Sequence, residues 1–102
     1  MSVQKFRELH HADKPLIIAN VWDAISSKAA EDSGFLAVGT SSHAIANMLG
    51  YEDGQNIPFD EMLLVINRIS KSINIHVSAD IESGFTEDLD LLNNYIEQLV
   101  DI

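Results

Sequence analysis

A chain of 102 residues and 11.3 kDa is about one ordinary domain, and less than half of the roughly 250 residues that a closed barrel of eight strand–helix units requires. With 46% hydrophobic and 22% charged residues and no cysteine, it is not a disordered, collagen-like or disulfide-framework chain, and thiolate catalysis and thiolate metal sites are excluded. Sixteen acidic residues against six basic ones give a net charge of −10, which repels phosphate backbones and anionic bilayers alike, so neither nucleic acid nor membrane is an expected partner.

No apolar run approaches the roughly 18 residues of a membrane span, and Met1 to Lys14 lacks the layout of a signal peptide, so a cytoplasmic location is expected. No linker or repeat divides the chain. Val3, Phe6 and Leu9 predict a short amphipathic helix over Ser2 to His10, and Leu16 to Ala19 reads as the first strand. Asp23 caps a predicted helix over Ala24 to Ser33, which Gly34 ends in a left-handed turn. Phe35 to Val38 is the second predicted strand, Ser42 to Leu49 a short helix, and Gly50 to Ile57 a polar loop. Pro58 opens a longer helix with Met62, Ile66, Ile69 and Ile73 on one stripe. Ile75 to Asp80 is the third strand, and Thr86 is the expected cap of a last helix carrying Leu89, Leu92, Ile96 and Leu99. Strands alternating with helices imply a parallel sheet, with functional groups gathered at the carboxyl ends of its strands.

Polar residues do collect at that edge. Asp80 and Glu82, two apart in extended chain, project to one side and can share a hard cation such as magnesium, although this spacing by itself more often marks a solvated acidic strand end. Asp53 precedes Gly54, and by itself that pattern more often marks a turn residue. Thr40, Ser41 and Ser42 can offer hydroxyl and N–H donors to an anion at a helix start, or simply cap that helix. Trp22 can wall a pocket or belong to a core. His76 alternates with Ile75 and Val77 and fits an interior histidine better than a ligand. Nucleophile elbows, Walker loops and dinucleotide fingerprints are absent from the sequence.

Four segments, Asn20 to Ala24, Gly34 to Ser42, Gly50 to Gly54 and Ser78 to Phe85, together resemble in order and spacing the phosphoenolpyruvate mutase and isocitrate lyase superfamily, above all its phosphonomutase-like and 2-methylisocitrate-lyase-like members. The resemblance runs from about Phe6 to Ile102. It implies an α/β fold equal to the first three β/α units of a (β/α)8 TIM barrel preceded by a short helix, with residues 1–102 forming a single incomplete barrel domain. It further implies a Mg2+ (or Mn2+) ion at Asp80 and Glu82, a catalytic Asp53 on a mobile loop, and substrate contacts from Thr40, Ser41 and Ser42, to which Trp22 is added as the expected wall of the substrate pocket. Glu82 stands where many members carry aspartate, and serines replace glycines common in the loop after strand two.

The expected function is that of a parent enzyme, likewise expected to be a homo-oligomer. It is a lyase or mutase acting on a small 2-oxo or 2-hydroxy carboxylate or phosphonate through an enolpyruvate-like intermediate. Two other readings compete. One is a non-catalytic, self-associating fragment or assembly module that ends before strand four; the other is a receiver-like signalling domain, also acidic and of this size.

Overall fold

Four helices begin where a side chain, of Ser2, Asp23, Ser41 or Asp88, satisfies amide groups that would otherwise lack partners. Asp23 Oδ1 accepts the Ser26 N–H at 2.7 Å, while Ser26 Oγ accepts the Asp23 N–H at 3.2 Å, a reciprocal capping box. Ser41 Oγ accepts the Ala44 N–H in the same manner. The computed structural model describes residues 2–52 and 57–102, so the loop acid Asp53 and the middle of the expected Gly50–Ile57 loop lie outside the described residues.

Within that range the order is α1 (Val3–His10), β1 (Ala19–Val21), α2 (Ala24–Asp32), β2 (Ala37–Thr40), α3 (Ser42–Leu49), α4 (Phe59–Ser72), β3 (His76–Ser78) and α5 (Leu89–Val100). The strands form one parallel sheet in the order β1-β2-β3, with Ala19 opposite Val38 and Val38 opposite Val77. That order excludes the receiver-like alternative, whose doubly wound sheet places its first strand between the second and third. A sequential parallel sheet with intervening helices is the arrangement from which strand–helix barrels are built.

All three strands lie further along the chain, or are shorter, than the apolar runs suggest. Ile17 and Leu36, expected inside the first two strands, are 69% and 54% exposed and precede the ladder. Apolar runs mark residues that favour burial, whereas pairing register decides which of them join the sheet. The last helix starts at Asp88 rather than Thr86: Asp88 Oδ1 accepts the N–H groups of Asp90 and Leu91, and Thr86 Oγ1 instead accepts the Asp88 N–H.

The stripe on α4 packs as its spacing requires, with Met62, Ile66 and Ile69 buried, while Ile73, expected on the same stripe, is the extended C-cap and is buried as well. Ile69 and Ile73 join Val21, Ala30 and Val38 under the sheet, while Met62 and Ile66 join Ile45 and Ile57 in a second cluster. The stripe on α5 is only partly covered, since Leu89 and Ile96 are exposed and Leu92 and Leu99 half-buried. Among the described residues no helix is long and apolar enough to cross a membrane.

Candidate functional site

The pairing register brings the carboxyl ends of the three strands level, with Val21 opposite Thr40 and Gly39 opposite Ser78. Ser41 then donates its N–H to the Val21 carbonyl at 2.8 Å, which sets the exposed Trp22 beside the start of α3. Gly39 sits in the central strand, where an added Cβ would meet Ile18 Cγ2 at 3.2 Å and Asn20 Oδ1 at 3.7 Å. A larger residue there would press on Ile18 beside β1.

From this frame β3 leads into a tight hydrogen-bonded knot. The Asp80 N–H donates to the buried Thr40 Oγ1 at 2.8 Å, and the Glu82 N–H donates to Asp80 Oδ1 at 2.9 Å. The buried Ser42 hydroxyl lies 3.3 Å from Asp80 Oδ2 and 3.1 Å from Glu82 Oε1. A hydroxyl carries one hydrogen, so it can donate to only one of these acceptors at a time. The other carboxylate oxygen then faces an oxygen, an arrangement that one additional positive charge would relieve.

Among the described residues the ion pairs belong to Lys28, with Glu31 and Asp32, and none neutralises Asp80 or Glu82. Two exposed carboxylates and a hydroxyl form a hard oxygen set suited to magnesium, which is commonly held by one or two carboxylates with water completing its shell. The described residues contain no group of three or more His, Asp or Glu side chains of metal-binding geometry. The donor set therefore fits a partly hydrated hard cation and not an all-protein cage.

Four of the expected residues, Thr40, Ser42, Asp80 and Glu82, are thus linked directly. Ser41 stands beside them with its hydroxyl capping α3 and its N–H engaged by Val21. Trp22 is 41% exposed, which rules out the core reading, and its N–H donates to Ser26 Oγ at 3.0 Å. The hydroxyls of Thr40 and Ser42, expected to face a bound anion, instead tie down the acidic loop. Glu82 has φ 52° and Phe85 φ 70°, on either side of Gly84 at φ 102°. Only the glycine signals such a turn in sequence, because other residues seldom enter the left-handed region.

His76 is buried at 6% exposure and stacks on Phe6, away from this knot. Burial is the main cause that pushes its pKa down, with nearby positive charge, Lys5 included, acting in the same direction.

A parallel α/β sheet with hydroxyls and paired carboxylates at its carboxyl edge defines a class of protein whose chemistry is expected at that edge. Residues 6–102 match the model of the phosphoenolpyruvate phosphomutase family, and the chain belongs to that family. It is 31% identical over 94 residues to an uncharacterised protein of Mycobacterium tuberculosis, covering 92% of this chain and 36% of the relative. It is 30% identical over 93 residues to oxaloacetate decarboxylase 2 of Pseudomonas fluorescens, covering 90% of this chain and 32% of that enzyme. A solved structure from Burkholderia cenocepacia, provisionally assigned as a phosphonomutase, superposes with a TM-score of 0.90 at 35% identity over 96% of this chain and 40% of that one. Oxaloacetate acetylhydrolase in complex with oxalate shares the fold, with a TM-score of 0.83 at 20% identity over 96% of this chain and 35% of that one. The chain thus spans about a third of the length of the curated relatives it matches.

Proposed function

We propose that the protein carrying this chain is a magnesium- or manganese-dependent lyase or mutase that makes or breaks a C–C or P–C bond next to a 2-oxo acid. Its substrate class is a small 2-oxo or 2-hydroxy carboxylate or phosphonate. The observation that supports this reading best is the convergence of Asp80 and Glu82 on the single Ser42 hydroxyl, at 3.3 and 3.1 Å. In this reading the two carboxylates hold the cation, and Thr40 fixes the backbone of Asp80 beneath it. When bound, the cation supplies Lewis-acid stabilisation of negative charge developing beside the 2-oxo group. The start of α3, with Ser41 and Ser42, favours an anionic substrate group through its helix dipole, and Trp22 borders the same edge. Asp53 is assigned a catalytic role from the family resemblance. The names of two relatives, a decarboxylase and an acetylhydrolase acting on oxaloacetate, agree with the substrate class.

The test is turnover of oxaloacetate, phosphonopyruvate and 2-methylisocitrate by the protein that carries this chain, with and without magnesium. Asp80→Asn is expected to lower kcat/KM by about 100-fold or more, the order expected for loss of several kcal/mol of charge stabilisation. A variant that retains wild-type turnover within about twofold refutes the assignment.

A further inference from the structure

The backbone that carries Glu82 is held in an unusual form. Glu82, Gly84 and Phe85 have φ of 52°, 102° and 70°, so three of four consecutive residues lie in the left-handed region. For residues with a Cβ that conformation is unfavourable and persists only where surrounding structure enforces it. On the amino side the enforcement is visible: the Glu82 N–H binds Asp80 Oδ1, and the Gly84 N–H binds the Ile81 carbonyl at 2.8 Å.

On the carboxyl side the anchor is aromatic. The Phe85 ring meets Phe59 edge-on, with centroids 5.7 Å apart and planes at 66°, and Phe59 stacks on Tyr95 at 3.9 Å and 17°. Phe59 opens α4 and Tyr95 lies in α5, so the trio joins the acidic loop to two helices. Phe85 also packs against the cluster of Ile45, Ile57, Met62 and Ile66. Gly84 is pressed so closely on Leu92 that an added Cβ would lie 2.7 Å from Leu92 Cδ1.

We propose that Phe85 is a positioning residue: its ring, seated on Phe59, which is itself backed by Tyr95, holds the left-handed turn that aims the Glu82 carboxylate at Ser42 and Asp80. The proposal deepens the metal-site reading given above, since Glu82 is assigned there as a ligand. An aromatic contact suits this role because its edge-to-face geometry is directional, whereas an aliphatic residue would fill the space without fixing the orientation.

The experiment has a metal-free and a metal-dependent arm, both on the protein that carries this chain. In the first, amide hydrogen exchange is followed at Glu82 and Gly84. Phe85→Ala is expected to accelerate exchange there at least tenfold, and Phe85→Tyr, which keeps the ring, to remain within twofold of wild type. Should Phe85→Ala fail to fold, Tyr95→Leu removes the stacked partner from outside the loop and is expected to accelerate the same two amides. Unchanged exchange in the folded variants overturns the proposal.

In the second arm Mn2+ alone is titrated. Phe85→Ala is expected to weaken its binding about tenfold and Phe85→Tyr to restore it. A purely space-filling role would lower thermal stability while leaving Mn2+ affinity unchanged, and that result also overturns the proposal. If the wild type and Asp80→Asn bind Mn2+ equally, the metal reading fails, while accelerated exchange in Phe85→Ala still supports the positioning role.

Discussion

The ring of Phe6 in α1 lies nearly flat on the imidazole of His76 in β3, with centroids 4.8 Å apart and planes 16° from parallel. No residue of α1 is buried, so this contact is a main attachment of the helix to the sheet edge, and His10 meets the same Phe6 ring in an edge contact at 4.7 Å. Burial holds the His76 pKa below its ordinary value of 6.5, and Lys5 adds to the effect. The unfolded chain therefore takes up this proton more readily than the folded one. Stability is full above pH 6.5 and falls as the pH drops through that value towards the lower folded-state pKa. Melting temperatures between pH 7.5 and 5.5 are expected to fall more steeply for the wild type than for His76→Phe. Parallel profiles would show that His76 titrates alike in the folded and unfolded chain, and would refute the effect of burial.

Glu31 joins α2 to the segment leading into β3: its carboxylate accepts the Asn74 N–H at 2.6 Å and pairs with Lys28 at 2.8 Å. The hydrogen bond from Lys28, then that from Asn74, holds its pKa below the ordinary 4.5. For a carboxylate with a lowered folded pKa, the stabilisation is present above 4.5 and lost as the pH falls through the folded value. Glu31→Gln is expected to melt below the wild type at pH 7, with the difference shrinking under pH 4.5. A constant difference across that range would assign the effect to packing.

Divalent cations should raise the melting temperature if Asp80 and Glu82 bind them. At a concentration ten times Kd the gain is about 1.4 kcal/mol, and a chelator should reverse it. Asp80→Asn keeps an acceptor for the Glu82 N–H while removing one of two neighbouring negative charges. It is expected to match or slightly exceed the metal-free wild type in stability and to lose the cation response. Ser42→Ala is expected to cost about 1 kcal/mol without metal, through the lost donor between the carboxylates.

Two glycines separate backbone strain from crowding. Gly50 ends α3 at φ 89° with open space around it, whereas Gly84 at φ 102° is crowded by Leu92. Gly50→Ala is expected to cost about 1 kcal/mol from conformation alone. Gly84→Ala should cost about 2–3 kcal/mol, because Leu92 must also turn away. Urea midpoints decide the order, and equal losses would mean that Leu92 yields freely.

Local chemistry was the most legible part of the chain. Asp23 and Gly34, as cap and left-handed terminator, depend on short-range hydrogen bonding and backbone freedom, and both stand where the pattern puts them. The α4 stripe was equally readable because its period is strong. Strand limits were not, since Leu16 to Ile18 satisfy every apolar criterion yet precede the ladder. The candidate site was half legible: the spacing of Asp80 and Glu82 suggested a shared ligand, but the inward turn of Ser42 and Thr40 arises from strand register, which spacing does not encode. The left-handed Glu82 and Phe85 carry no compositional mark at all.

Helix α4 contributes Ile69, and its C-cap Ile73, to the cluster under the sheet and Met62 and Ile66 to the cluster beside α3, with Val65 touching both. A rod shared by two interiors makes them mechanically one. Any displacement of α4 therefore disturbs both interiors, and Phe59, at the start of the same helix, ties its aromatic contacts to that shared support.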